Sequence, residues 1–111
     1  MQYPDNEKKI DMKVTINQSG STYAVTLEGR VDTTSADQFL ADIKPLCEAE
    51  KPEITMDCAK MEYTSSQGLR IFLTLQKCVM AHGGSLVLTN MDPKVREVFD
   101  ITGFSGIIRI I

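Results

Sequence analysis

The segment with the clearest chemical potential is Ser65-Ser66-Gln67-Gly68, where two adjacent hydroxyl groups precede a largely apolar stretch. Serine is favoured at the N-cap of a helix, where Ser65 can accept a hydrogen bond from the amide of residue 67 or 68. Ser66 would then occupy the first helical position. A phosphate there would add about −1.5 to −2 charges at the positive end of the helix dipole. The helix would tolerate this charge, whereas a partner surface that fits a neutral serine would not, so the position suits a phosphorylation switch.

A structural role explains part of the same pattern. Helix capping accounts for one serine and is the simpler interpretation on physical grounds alone. It does not explain Gly68, because glycine inside a helix costs about 0.5–1 kcal/mol relative to alanine. A glycine at this place lets another backbone or a bulky group approach closely. The residues therefore leave two interpretations open, a capped helix start and a contact point.

Groups that could perform catalysis are sparse. The chain has one histidine, His82, which precedes Gly83-Gly84 and is typical of a solvated residue at a helix C-terminus. This histidine and three scattered cysteines do not form a recognisable zinc ligand set. The seven glycines match neither the GxGxxG pattern nor the P-loop pattern. We therefore expect a binding protein that has no catalytic activity and needs no metal or cofactor.

Composition is that of a small cytoplasmic protein. The 111 residues fit one domain, and a hydrophobic content of 42% is enough for a core. The net charge of −3 argues against nucleic acid or an anionic membrane as the main partner. The N-terminus lacks the apolar core of a signal peptide, and no apolar run reaches the roughly 20 residues of a membrane span. We expect Cys47, Cys58 and Cys78 to be buried free thiols, as in a reducing compartment.

Hydrophobic periodicity predicts the elements that position the serine pair. Alternating apolar residues on both sides of a Gly/Ser turn indicate a β-hairpin, and longer apolar stripes indicate helices. Thr34 or Ser35 is expected to cap the first helix, which Pro45 should kink or end near Lys44. The predicted order β-β-α-β-α-β-α-β consists of strands over 12–17 and 23–28, a helix beginning near 36, a strand over 53–58, a helix over 66–81, a strand over 85–89, a helix over 93–102 and a strand over 107–111. Residues 1–10 are expected to be a loose end or an edge strand of this single domain.

The chain resembles the STAS domain family over roughly residues 12–111, and within it the stand-alone anti-sigma factor antagonists of bacteria. The resemblance rests on three segments in the family's order. Residues 27–35 are similar to a glycine, hydrophobic and Asp loop that opens the first helix. Residues 56–69 are similar to a strand ending in Asp, followed by an aromatic residue and an acceptor serine two residues before Gly-Leu. Gly83-Gly84, an apolar strand, residues 90–93 and residues 99–104 are similar to the closing part of the domain.

The resemblance implies a single α/β domain with a curved, mixed sheet of four to five strands and three to four helices. It also implies a partner-switching mechanism. The unphosphorylated antagonist binds an anti-sigma factor that is a serine kinase, and the kinase uses ATP to phosphorylate it and end the complex. A metal-dependent serine phosphatase then resets the antagonist.

Site residues follow from the same resemblance by position. Ser66 is implied as the phospho-acceptor, and Asp32 as a neighbour that engages the kinase. The chain departs from the family's pattern in having Ser65 where Asp is frequent and Gln67 where a hydroxyl residue is common, and Ser65 becomes a rival acceptor. The implied partner-binding residues are Asp32, Thr33, Thr64, Ser65, Gln67, Gly68 and Leu69. An alternative function is a STAS adaptor subunit of a signalling or lipid-transport complex that has no phosphorylation switch.

Overall fold

Two strands form a hairpin at the start of the described chain, and helices and strands alternate after it. The computed structural model describes residues 12–111, so the expected loose segment 1–10 lies outside the described residues. In the described part, the elements are β1 (Met12–Ser19), β2 (Thr22–Val31), α1 (Ala36–Glu48), β3 (Glu53–Thr64), α2 (Ser66–Ala81), β4 (Ser85–Thr89), α3 (Pro93–Ile101), a 3₁₀ turn (Phe104–Gly106) and β5 (Arg109–Ile110).

The strands form one mixed sheet in the order β1-β2-β3-β4-β5. β1 and β2 pair antiparallel, whereas β2, β3, β4 and β5 pair parallel to one another. The parallel strands need the crossovers that the helices provide. The predicted α/β fold and the predicted order of elements are therefore confirmed. The carboxyl ends of β2 and β3 meet at one edge of the sheet, where α1 and α2 begin.

The core lies between the helices and one face of the sheet. Val25, Leu27 and Val31 of β2 are buried, while Arg30 on the same strand is exposed. One aromatic residue from each helix meets in the core. The ring of Phe72 lies edge-on to those of Phe39 and Phe99, at centroid distances of 5.1 and 5.4 Å. Such pairs add about 0.5–1.5 kcal/mol beyond area burial, and these hold the three helices together.

β3 is twice as long as the sequence indicated. The predicted strand ended at Cys58, whereas the observed strand continues to Thr64. Its pairing with β2 shifts register twice, between Thr26 and Glu28 and again between Gly29 and Arg30, and each shift places one extra residue on β3. Each extra residue reverses the alternation of faces. The period-2 pattern therefore breaks after Cys58 although the strand does not.

Two further predicted boundaries are corrected. β2 extends to Val31 through a segment expected to be a loop, and Gly29 there has a φ of 92°. α1 does not end near Lys44 but continues to Glu48 with Pro45 inside it. Leu46 is fully buried in the last turn of α1. Its burial stabilises the last turn by about 1.5–3 kcal/mol, which offsets the lost proline hydrogen bond.

The C-terminal half follows the predictions more closely. Asp92 caps α3, since its carboxylate accepts a hydrogen bond of 2.8 Å from the amide of Lys94, and Pro93 is the first helical residue. Gly83 follows the end of α2 in the left-handed conformation, with a φ of 75°, which is common for a glycine after a helix. The predicted strand over 107–111 is shorter, because a 3₁₀ turn precedes it and only residues 109–110 pair with β4.

Candidate partner-binding site at the start of α2

The first turn of α2 is capped by Ser65, as predicted. Ser65 has extended backbone angles, and its hydroxyl accepts a hydrogen bond of 3.3 Å from the amide of Gly68. Ser66 is the first helical residue, and both Ser66 and Gln67 are exposed. The first turn contains no acidic residue. The Ser66 hydroxyl therefore lies at the positive end of the helix dipole, without a negative side chain in that turn.

Gly68 allows the helix start to press against the ends of two strands. A Cβ at this position would lie 2.5 Å from Oγ1 of Thr64 and 2.8 Å from both the carbonyl oxygen and Cγ1 of Val31. The close approach that the glycine suggested is thus an approach to the protein's own backbone. Gly68 is buried, and its smallness sets the position of Ser66 relative to β2.

The loop between β2 and α1 is organised around the carboxylate of Asp32. Its Oδ1 accepts hydrogen bonds from the hydroxyl and amide of Thr34, at 2.8 and 3.1 Å, and from the amide of Ser35 at 3.2 Å. Ser35 occupies the N-cap position of α1 but does not cap the helix. Its buried hydroxyl donates to the carbonyl of Arg30 at 2.6 Å and accepts from the amide of Asp32 at 3.0 Å. Ser35 therefore does not cap α1 as expected, and its hydroxyl instead holds the loop between β2 and α1 closed.

These hydrogen bonds favour the ionised form of Asp32. The hydroxyl of Thr34 is the largest influence and lowers the pKa of the carboxyl below its ordinary value of 3.8, with smaller support from the amides of Ser35 and Thr34. Partial burial opposes this shift without reversing it. Asp32 therefore carries a full negative charge at neutral pH.

A backbone hydrogen bond joins this loop to the helix start. The amide of Ser65 donates to the carbonyl of Val31 at 2.8 Å, and Val31 and Thr64 are register partners in the parallel pair of β2 and β3. Asp32 follows Val31 directly, as Ser66 follows Ser65. The fold therefore brings together the two segments that the sequence singled out.

The predicted site residues separate into two groups by exposure. Thr33, Ser66 and Gln67 are exposed, and Asp32 and Ser65 are half-buried, so these residues form the surface of the site. The side chains of Thr64 and Leu69 are each only 3% exposed, and Gly68 is buried with them. These three buried residues lie beneath the exposed and half-buried residues of the site and hold them in position.

Two exposed residues beside this group, Arg30 and Tyr63, were not among the predicted partner-binding residues, although Tyr63 belongs to the segment that the sequence resemblance uses. The guanidinium of Arg30 lies 4.4 Å from the ring centroid of Tyr63, and its Nε lies 3.5 Å from Oδ2 of Asp32. Both residues are at the ends of their strands. Their proximity depends on the register shifts in β3, which period-2 reasoning did not predict.

The remaining chemistry-bearing residues lie elsewhere. His82 is exposed at the end of α2, with Nδ1 2.8 Å from the carbonyl oxygen of Cys78. The three cysteines are free, but only Cys58 is buried, and Cys47 and Cys78 are half-buried. Within residues 12–111, no group of three or more potential metal ligands occurs. No helix in the same range has the length and hydropathy needed to cross a membrane.

Comparison with known proteins agrees with this architecture. BtrV of Bordetella bronchiseptica, which is named as an anti-sigma factor antagonist, is 33% identical over 86% of this chain and 83% of its own length. The anti-sigma-B factor antagonist of Bacillus subtilis is 31% identical over 91% of this chain and 92% of its own length. The crystal structure of an antagonist from Thermotoga maritima, tm1081, superposes with a TM-score of 0.78 at 17% identity, over 87% of this chain and 84% of that chain.

The family match covers almost the whole described chain. Residues 13–111 match the STAS domain. This range contains every element of the sheet and the three helices, apart from the first residue of β1. Since both the sequence match and the fold agree, the chain belongs to the STAS domain family.

Proposed function

We propose that this chain is an anti-sigma factor antagonist, a regulatory and non-enzymatic protein that acts through partner binding. In its unphosphorylated form it binds an anti-sigma factor that is a serine kinase. Phosphorylation of Ser66 by that kinase ends the complex. The observation that carries the proposal is the exposed Ser66 at the first position of α2, joined by backbone to the loop of the charged Asp32. The antagonist names of the two curated relatives support it.

Geometry favours Ser66 over Ser65 as the acceptor. The Ser65 hydroxyl is engaged with the amide of Gly68 and its side chain is half-buried. A kinase would have to break this cap before it could use the Ser65 oxygen. The Ser66 hydroxyl is exposed and makes no hydrogen bond to another described residue. Its oxygen is therefore accessible to an approaching γ-phosphate without any change in the helix.

Phosphate at this position would act on the partner more than on the domain. It would add about −1.5 to −2 charges where the helix dipole is favourable, so α2 would remain folded. The same charge would stand in the centre of the contact surface, beside the anionic Asp32. A partner that covers these residues would have to desolvate the phosphate or supply a new counter-charge. Loss of the complex then requires no conformational change in this chain.

The remaining residues have supporting parts in this proposal. Thr33 and Gln67 flank Ser66 and Asp32 at the surface and contact the partner. Thr64, Gly68 and Leu69 hold the contact residues in place from below. A serine phosphatase would restore the binding form by removing the phosphate, and all of these steps belong in the cytoplasm.

Incubation with a cognate anti-sigma kinase and ATP tests the proposal directly. We expect one phosphate, located on Ser66 by mass spectrometry, and loss of complex formation in isothermal titration calorimetry. Ser66→Ala should bind the kinase and accept no phosphate, whereas Ser65→Ala should still be phosphorylated at Ser66. The proposal would be overturned if no complex formed with the unmodified protein, or if the phosphorylated protein bound equally well.

An adaptor function without a phosphorylation switch is the second candidate, because the cap gives Ser65, one serine of the pair, a structural role. In that case a negative charge at Ser66 would have little effect on partner binding. Ser66→Asp and Ser66→Asn form a matched pair that differs in charge rather than size. Equal affinity of the two variants for the partner would favour the adaptor function over the antagonist.

A further inference from the structure

Arg30 and Tyr63 form a connected pair at the edge of the sheet beside the candidate site. They are register partners in β2 and β3, one residue before Val31 and Thr64. The guanidinium carbon of Arg30 lies 4.4 Å from the centroid of the Tyr63 ring, a distance at which the cation and the ring attract each other. The Arg30 side chain is 50% exposed and Tyr63 is 41% exposed. The pair is thus accessible although it is held in place.

Asp32 fixes the guanidinium on a second side. Its Oδ2 lies 3.5 Å from Nε of Arg30, while its Oδ1 is occupied by Thr34 and Ser35. An arginine side chain carries five N–H donors. Among the described residues, the only partners of this guanidinium are the Asp32 carboxylate, at Nε, and the Tyr63 ring. The two terminal nitrogens of the Arg30 guanidinium are therefore held in a fixed orientation and are free to donate to a ligand.

A guanidinium held in this way is suited to binding a carboxylate. The two terminal nitrogens present parallel donors that match the two oxygens of a carboxylate. Orientation by the ring and by Asp32 reduces the side-chain entropy that binding would otherwise cost. Arginine and tyrosine are also enriched among the residues that dominate protein interfaces. The pair has the composition and the preorganisation of an interface anchor.

We propose that Arg30, oriented by Tyr63 and Asp32, binds an Asp or Glu carboxylate of the anti-sigma factor. This inference rests on the proposed function and extends its contact surface from the start of α2 onto the edge of the sheet. Two observations favour the partner's carboxylate over a phosphate of this chain. The anchor is continuous with the Asp32 loop, and it is already formed in the unphosphorylated protein, which is the binding form. Because Asp32 is paired with Arg30, it repels an incoming carboxylate less than a free aspartate would.

Calorimetric titration of unphosphorylated variants with the anti-sigma factor tests the anchor. Arg30→Ala should raise Kd by about tenfold or more, as expected for a residue that dominates an interface. Arg30→Lys should recover only part of this loss, because lysine keeps the charge without the fork. Tyr63→Phe keeps the ring and should bind like the unmodified chain, whereas Tyr63→Ala should weaken binding. Lys77→Ala is the matched control, since it removes one positive charge from an exposed position at the far end of α2.

Charge reversal separates a direct contact from a loss of folding. Arg30→Glu should weaken the complex further than Arg30→Ala, and an Asp-to-Lys or Glu-to-Lys substitution in the anti-sigma factor should restore it. Circular dichroism melts confirm that each variant is folded. Equal Kd values for Arg30→Ala, Lys77→Ala and the unmodified chain would overturn this inference while leaving the proposed function intact. Failure of the unmodified chain to form a complex would overturn the proposed function, and the anchor with it.

Discussion

The amide of Ser65 donates a hydrogen bond of 2.8 Å to the carbonyl of Val31, and this contact fixes the start of α2 against the loop of Asp32. Both groups belong to the backbone. The juxtaposition of Ser66 and Asp32 is therefore set by the pairing of β2 and β3 and not by their own side chains. Either side chain can be replaced or modified without moving the other. A site built in this way can change its charge while its shape stays constant.

Gly68→Ala is expected to disrupt this junction. The added Cβ would lie 2.8 Å from the Val31 carbonyl oxygen, and that carbonyl cannot retreat without stretching its bond to Ser65. Overpacking of this kind costs about 1–3 kcal/mol, more than the about 0.5–1 kcal/mol that alanine gains over glycine inside a helix. We expect the free energy of unfolding in urea to fall by about 1 kcal/mol or more.

Gly106→Ala provides the matched control, because a Cβ at Gly106 meets nothing within 4 Å. Its φ is outside the left-handed region, so the substitution should change stability by less than about 0.5 kcal/mol. Equal stability of the two variants would contradict the view that Gly68 is required for close packing.

Ser65→Ala and Ser66→Ala should have different effects on stability. Ser65 accepts the amide of Gly68, so its loss should cost about 1 kcal/mol, which is typical of a lost N-cap. Ser66 is exposed and caps nothing, so Ser66→Ala should stay within about 0.5 kcal/mol of the unmodified chain. Urea denaturation of the two variants measures both values. A larger loss for Ser66→Ala would show that the capping role had been assigned to the wrong serine.

The sequence predicted the Ser65 cap correctly because the signal is local. A serine before an apolar helical stripe is read as a cap without knowledge of the rest of the chain, and the structure has Ser65 in that role. The start of α3 near Pro93 was predicted from an equally local signal, because Asp is favoured at the N-cap and Pro at the first helical position. The order of strands and helices also followed, since it depends on periodicity within short windows.

The parts that were missed depend on contacts between distant segments. β3 continues past Cys58 because its pairing with β2 accommodates two extra residues, and local alternation gives no sign of them. The proximity of Arg30 and Tyr63 is a consequence of these same shifts. Ser35 was missed for a different reason, because its hydroxyl donates to the carbonyl of Arg30, five residues earlier, instead of capping the helix. Strand register and a competing hydrogen bond within the loop thus prevail over the preferences of single residues.

Pro45→Ala should stabilise the domain. The proline lies inside α1, where it has no amide to donate to the carbonyl of Ala41, and its side chain is exposed. Interior proline is about 3 kcal/mol less favourable than alanine, and about 0.4–1 kcal/mol of this is returned because proline restricts the unfolded chain. We therefore expect the free energy of unfolding in urea to rise by about 2 kcal/mol. Lys44→Ala, at the neighbouring exposed position, is the control and should change stability by less than about 0.5 kcal/mol. If Lys44→Ala stabilised the domain as much as Pro45→Ala, the gain could not be attributed to removal of the proline.

Asp32 should titrate below its ordinary pKa of 3.8 because the hydroxyl of Thr34 donates to it. A lowered pKa means that folding favours the ionised form. The stabilisation is therefore present above about pH 3.8 and is lost as the pH falls through the folded pKa. Thr34→Val removes the donor and should raise the pKa of Asp32 towards 3.8 in a ¹³C NMR titration of the carboxyl group.

Thr33→Val is the control for this titration, since Thr33 is exposed and does not donate to Asp32. It should leave the pKa of Asp32 unchanged. The loss of stability between pH 4 and pH 2, roughly the range in which the carboxyl takes up its proton, should be smaller in Thr34→Val than in Thr33→Val. The same pKa in both variants would mean that the hydrogen bond from the Thr34 hydroxyl is not the cause of the lowered pKa.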